Sequence, residues 1–244
     1  PERLTASAYI TTDTDDNQIT AFYNGPLELA QHVDLEAILP RPTLALISPT
    51  NKDAMTHHLR TGKRLGLTVV FDPGQQLPAF TSTELEQLLG QADIIIGNDY
   101  EIKLLEERSG WSTHKMLENA HTLVTTLGER GSVITTRGGE ILEIAPCPPA
   151  SVDDPTGAGD AWRAGFCVGY EQGLPLKTCG QMGSVAATYA VETYGTQAHT
   201  FTRQDFAARN ERLLRSAPIR MLVSVAAFLL FLPSPAFADT VKFK

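Results

Sequence analysis

Paired cysteines, clustered basic charge and long apolar runs are all scarce in this chain, and each scarcity excludes something. Its three cysteines, Cys147, Cys167 and Cys179, are too few and too irregularly spaced for a disulfide framework, and none belongs to a Cys-x-x-Cys pair. They are expected to be small buried side chains in a reducing cytoplasm. Lys and Arg number 20 against 28 Asp and Glu, for a formal net charge of -8. With no dense basic cluster, the footprint that phosphate-backbone binders need is missing, so nucleic acid is not an expected partner. The longest apolar run, residues 222–232, falls short of the about 20 residues that span a bilayer. Repeats and low-complexity linkers are absent before about residue 215. A chain of 244 residues therefore accommodates one large domain of ordinary composition.

What is present is an alternation. Short β-branched and apolar runs at residues 44–48, 67–72, 93–97, 122–126 and 132–136 read as buried strands. Segments of helical spacing lie between them, at 53–65, 82–89, 100–107 and 113–119, each opened or closed by Gly, Pro, Ser or Asn. Parallel strands need a crossover, and a helix is the usual one, so the pattern predicts an α/β fold with a mostly parallel central sheet flanked by helices on both faces. Residues 133–136 and 140–144, across Arg137, Gly138 and Gly139, predict a hairpin and one antiparallel edge. Ligands are expected at the carboxyl ends of the strands.

The most informative segment is Asp154-Pro155-Thr156-Gly157-Ala158-Gly159-Asp160, followed by a helical run over 161–173. Pro155 sets a turn, and Gly157 and Gly159 let backbone approach a ligand with no side chain in the way. The amides around Gly157, Ala158 and Gly159, together with the positive end of the following helix, suit an anion whose charge grows during a reaction. Asp160, in the first helical turn beside that anion site, can accept the proton of an attacking hydroxyl. The plainer reading of the same seven residues is a capped helix.

This string resembles the signature of the PfkB, or ribokinase, family of carbohydrate kinases. Asn98-Asp99-Tyr100-Glu101 resembles the family's Asn-x-x-Glu motif, and Thr126-Leu127-Gly128-Glu129-Arg130-Gly131 resembles its nucleotide-binding turn. Alone, the first is also an ordinary helix N-cap and the second a plain left-handed connection into a strand. In order, the three motifs carry the resemblance over about residues 1–214. It implies a ribokinase-like fold and a transferase that uses ATP and Mg²⁺. Asp160 would be the base and Gly157, Ala158 and Gly159 the anion hole. Asn98 and Glu101 would reach magnesium through water. Thr126, Gly128, Gly131 and Thr156 would contact the nucleotide, with the small residues over 183–190 either flanking its base or packing helices closely. Some members bind K⁺ beside the anion hole, which would place that ion at Asp154 and the Thr156 carbonyl. The kinase domain is expected in the cytoplasm with no membrane association, and its oligomeric state is not encoded in any motif.

Three further segments, residues 12–30, 72–80 and 195–202, look similar to bacterial adenosine kinases. The acceptor implied is the 5'-hydroxyl of adenosine, in purine salvage. A sugar kinase of ribokinase or fructokinase type is the alternative, and a non-catalytic nucleotide- or sugar-binding fragment is the second.

Both ends depart from the family pattern. The family's first strands and a Gly-Gly-x-x-Asn motif that holds the ribose have no counterpart in the sequence, so the chain resembles an N-terminally truncated member. It is expected on its own to turn over neither adenosine nor ribose at a useful rate. Residues 215–244 form an extension outside the kinase domain: Arg212, Arg215 and Arg220 precede Met221, an apolar run to Leu232, and an Ala-Phe-Ala ending at Ala238. Basic flank, apolar core and small-x-small site are the marks of a secretory signal peptide, the expected start of a different, exported protein joined to this one; an amphipathic or buried terminal helix and a tail anchor are the alternatives. Deleting residues 221–244 should therefore leave the melting temperature unchanged or improve solubility. A fall of several degrees would show that the segment packs on the core.

Overall fold

The structure is a computed structural model that describes residues 4–12, 18–38 and 42–216. The signal-peptide-like segment from Met221 and residues 13–17 of the 12–30 segment lie outside the described residues.

A two-stranded antiparallel sheet comes first, β1 (Ser7–Thr12) with β2 (Gln18–Tyr23), in the register Ser7↔Tyr23 to Thr12↔Gln18. Paired residues share a face, so Tyr9 and Ile19 lie on one side and Ile10 and Phe22 on the other, and all four are exposed. Six strands then form one sheet in sequence order: β3 (Leu44–Ile47), β4 (Thr68–Phe71), β5 (Ile94–Asn98), β6 (Thr122–Thr126), β7 (Ser132–Thr136) and β8 (Ile141–Ile144). β3 pairs β4 and β4 pairs β5 in parallel. Helix α1 (Lys52–Arg64) makes the first crossover, α2 (Ser82–Leu89) the second, and α3 (Asp99–Ser109) with α4 (Thr113–Asn119) the third. The sequence departs from a simple parallel count at its end. Arg137 donates to the His121 carbonyl and Leu127 to the Gly131 carbonyl, the ladder of a β6–β7 hairpin, and Thr136 donates to Glu140 across the second, expected hairpin. Two tight reversals replace crossovers here because only Leu127–Gly131 and Arg137–Glu140 are left to span them, which is too little for a helix. The sheet is therefore mixed.

By internal contacts the chain divides into two units. The first runs to Thr125 and takes back Thr135–Ile141; the second holds Thr126–Ile134 and the described residues from Leu142. In the first unit, β4 and β5 are buried almost throughout, as parallel strands covered on both faces must be. Met55, Leu59, Phe71, Leu88 and Leu105 pack in one core with Ile95. The helices are closed locally. Asn51 caps α1 through its side chain, Thr81 and Glu84 form a reciprocal capping box on α2, and Gly110, at φ 71°, ends α3 in the left-handed conformation. Asp93 ties α1 to the sheet by accepting from Lys63 Nζ at 2.8 Å and from the Val69 amide at 2.8 Å.

In the second unit, α5 (Ala158–Glu171) lies against α6 (Leu176–Val191). The Trp162, Phe166 and Tyr170 rings stack along α5, with centroids 5.3 and 6.2 Å apart. α6 is buried on nearly every side, as an interior helix must be if its residues are small and apolar. Glycines set the approach: a Cβ on Gly165 would stand 2.6 Å from the Met182 carbonyl oxygen, and one on Gly183 would stand 2.7 Å from the Trp162 ring. Within the small stretch over 183–190, Gly183 and Ala186 take part in this close helix packing. α7 (Arg203–Ser216) follows, two residues beyond the expected boundary at 214. Its Arg209 makes a two-pronged pair with Glu192 at 2.8 and 2.6 Å and lies 4.5 Å over the Tyr189 ring. Burial pushes the Cys167 and Cys179 thiols up to about 12 and about 11, so neither is a ready nucleophile. Among the described residues, no helix is long and apolar enough to cross a membrane.

Because backbone rather than a side-chain tip faces Gly165, Gly165→Ala must push α5 and α6 apart. Thermal unfolding should show a loss of about 1–3 kcal/mol. Gly138→Ala, whose nearest neighbour would be Thr136 Oγ1 at 3.7 Å, should melt like the wild type.

Candidate active site

Asp154 organises the turn before α5. Its Oδ1 accepts from the Thr156 amide at 2.9 Å and its Oδ2 from the Gly195 amide at 3.0 Å. One carboxylate thus closes the local turn and holds it to a segment 41 residues further on. Those bonds, to the Thr156 amide first, then the Thr156 hydroxyl and the Gly195 amide, hold the carboxyl below its ordinary value of 3.8. The turn backs onto the same segment at Gly157: with φ at 88°, it adopts a conformation that favours glycine, and a Cβ there would meet the Thr196 carbonyl oxygen at 3.2 Å.

Gly157 is the N-cap of α5, so the helix begins at Ala158, three residues before the run expected from spacing. The reason is local. Once a left-handed glycine has turned the chain, Ala158 and Gly159 are free to take helical angles, although neither belongs to the amphipathic pattern that marks the helix in the sequence. Ala158, Gly159 and Asp160 are consequently the first three helical residues. The Ala158 amide donates back to Pro155 at 3.2 Å. No acceptor among the described residues takes the amides of Gly159 and Asp160. These amides and the helix dipole make the tip of the turn a place that favours negative charge. Asp160 stands at its edge with its side chain 84% exposed.

The 126–131 segment, also in the second unit, is a tight reversal. Thr126 ends β6, Gly128 at φ 61° opens a single 3-10 turn, and Gly131 at φ 88° closes it. The two glycines have different causes. A Cβ on Gly131 would collide with the Ile144 carbonyl oxygen at 2.1 Å, so packing alone requires glycine there, whereas nothing lies within 4 Å of the corresponding point on Gly128. The space over Gly128 is open.

Asn98 and Glu101 lie in the first unit, at the carboxyl end of β5. Asn98 Oδ1 accepts from the Glu101 amide at 2.7 Å and Glu101 Oε2 accepts from the Asn98 amide at 2.8 Å, a complete capping box on α3. Both side chains offer the hard oxygens that magnesium takes, and with cap bonds to keep they suit contact through bound water better than direct ligation. Among the described residues, no group of three His, Cys, Asp or Glu could hold a metal by itself.

Two further residues of this region belong to none of the three motifs. Gly195 was noted only as part of a similar segment, and its role as the distant partner of Asp154 is a tertiary fact. Arg163 was legible in principle, since a basic residue three positions after an acid on a helix is its neighbour. Its Nη1 lies 3.6 Å from Asp160 Oδ1.

Residues 1–203 match the pfkB family carbohydrate kinase. The chain is 35% identical over 202 residues to a nucleoside kinase of Methanothermobacter thermautotrophicus, a match covering 81% of this chain and 64% of that protein. It is 32% identical over 222 residues to a nucleoside kinase of Methanocaldococcus jannaschii, covering 86% and 68%. The fold superposes on the Burkholderia thailandensis nucleoside kinase in complex with inosine with a TM-score of 0.84 at 34% identity, over 88% of this chain and 70% of that one. A ribokinase of Thermotoga maritima shares the fold, with a TM-score of 0.69 at 21% identity. The chain thus spans just under two thirds of the first relative's length.

Since the folded Asp154 carboxyl titrates below 3.8, its contribution is full above that value and disappears as pH falls through the lower folded one. Relative to intrinsic exchange at each pH, the Thr156 and Gly195 amides should be protected at pH 6 and lose protection only as pH falls below about 3.8. Asp154→Ala should exchange fast at both amides already at pH 6. Slow exchange in that variant would show that the turn stands without the carboxylate.

Proposed function

The chain belongs to the pfkB family of carbohydrate kinases, and on that premise we propose that it serves an ATP-dependent nucleoside kinase whose preferred acceptor is the 5'-hydroxyl of adenosine. The observation that carries the reading is the first turn of α5: an exposed carboxylate on Asp160, beside the amides of Gly159 and Asp160 that donate to no described protein acceptor. The relatives of 35% and 32% identity are nucleoside kinases, which favours a nucleoside over a free sugar. The Burkholderia thailandensis nucleoside kinase forms a complex with inosine, so inosine is the competitor against which adenosine has to be measured.

In this reading the nucleoside hydroxyl donates its hydrogen bond to Asp160. As its oxygen bonds to the γ-phosphorus, the bond from that phosphorus to the β–γ bridging oxygen breaks and the hydroxyl proton passes to the Asp160 carboxylate. ADP leaves and the nucleoside 5'-monophosphate remains. Negative charge grows on the transferring phosphoryl oxygens, and the Gly157-Ala158-Gly159 turn meets it with the amides of Gly159 and Asp160, the Ala158 amide being engaged by Pro155, and with the positive end of α5, which cost no reorganisation at that moment. Gly128 leaves room for a nucleotide over the β6–β7 reversal, with Thr126, Gly131 and Thr156 bordering it. Asn98 and Glu101 would hold magnesium through its water shell, and the ion would supply charge neutralisation for the nucleotide's phosphates. Asp154 shapes the turn, and a potassium ion there would sit against the Thr156 carbonyl.

Asp160→Asn keeps size and polarity and removes the proton acceptor. In the intact native protein kcat should fall by about 10² to 10⁴ while affinity for ATP changes little. ADP release measured with adenosine, inosine, ribose and fructose ranks the acceptors. Unchanged kcat in the variant would remove Asp160 as base, preference for ribose or fructose would make the protein a sugar kinase, and binding without ADP release in the wild type would make it a sensor.

A further inference from the structure

Gly159 raises a question that the anion turn does not answer by itself. It is not among the glycines with positive φ, so its backbone conformation is open to any residue. No neighbouring backbone crowds it either. The atoms that a Cβ at this position would meet outside its own helix backbone both belong to Arg163, Nη1 at 2.7 Å and Cζ at 3.8 Å. The bare Cα of residue 159 is therefore the seat of a guanidinium. That guanidinium is largely enclosed, its side chain 12% exposed, and it faces a carboxylate that is 84% exposed.

We propose that Arg163 is a positioning residue for Asp160: its guanidinium, seated on the bare backbone of Gly159, holds the carboxylate at the mouth of the turn in the orientation that accepts the substrate proton. The inference rests on the reading of Asp160 as the base. Left alone, an exposed carboxylate in a first helical turn rotates about two side-chain bonds, and an alternative rotamer swings it off the line of attack. The contact is of the right kind to prevent this without occupying the base. At 3.6 Å it is an ion pair beyond hydrogen-bond range, so the carboxylate keeps its lone pairs for the incoming hydroxyl. A planar, always charged and mostly enclosed guanidinium suits that task better than a mobile ammonium. Gly159 then serves twice, giving phosphate access on one side and admitting the guanidinium on the other.

A double-mutant cycle in the intact native protein tests this, with ATP and adenosine as substrates and ADP release as the readout. Arg163→Met should lower kcat by about 10- to 100-fold, the scale of a misplaced reacting group, with KM for both substrates changed less than about threefold. Arg163→Lys should recover part of the loss. Introduced into Asp160→Asn, Arg163→Met should cost less than about twofold more, because there is no longer a base to position. An equal loss in both backgrounds would show the guanidinium acting elsewhere, and wild-type kcat in Arg163→Met would show it idle; either overturns the proposal. If Arg163→Met does not fold, Arg163→Gln carries the same comparison. Full activity in Asp160→Asn alone would instead remove the base assignment, which the cycle separates from a failure at Arg163.

Discussion

The close approach of α5 to α6 is the constraint on which the second unit depends. Gly165 and Gly183 bring one helix within reach of the other's backbone and Trp162 ring, and the stacked Trp162, Phe166 and Tyr170 fill the neighbouring surface. The first turn of α5 cannot then slide or rotate without moving backbone. Chemistry that needs a carboxylate and two amides placed to a fraction of an ångström is supported by a rigid element rather than by a loop. The polar bonds of Asp154 refine a position that packing has already limited.

In the proposed reading, helix capping and ligand chemistry draw on the same atoms. The Asn98–Glu101 box stabilises α3, and the same oxygens are those proposed to face hydrated magnesium. At α5 the cap is a glycine with no side chain to offer, and the orphan amides that a Ser or Asp would otherwise satisfy remain for an anion. The two helix starts illustrate opposite solutions: one completes its hydrogen bonds within the chain, the other leaves them incomplete. Substitution at Asn98 or Glu101 would therefore disturb stability together with any metal effect, whereas the α5 start is open to functional tests that leave the cap intact.

Much of this was legible in the sequence because the signals are local. The five apolar runs became β3 to β7, and α1 and α2 start and end within a residue of where their caps and periodicity placed them. Asp154 to Asp160 was recognised from seven consecutive residues. Local signals fail where the decisive partner is distant or lacks a pattern. The start of α5 was placed three residues late because Ala158 and Gly159 carry no amphipathic mark. The β6–β7 reversal was seen as a turn without being seen as a hairpin, since its Gly128 and Gly131 suggested a ligand, and the Ile144 carbonyl that makes glycine necessary at 131 lies on another strand. The Asp154–Gly195 bond could not be read at all, as nothing in either neighbourhood names the other.

That bond also bears on the order in which the molecule assembles. Residues 41 positions apart meet only after the chain between them has been drawn together, and closing so long a loop without intermediate structure is entropically unfavourable. Here the intervening chain is the α5–α6 hairpin, whose contacts are local in sequence and so cost less loop closure. Once the two helices are docked, the end of α6 arrives beside the start of α5 and the remaining closure is short. The anion turn should accordingly be among the last parts of the second unit to acquire its native form during folding, and among the first to open when the helices loosen.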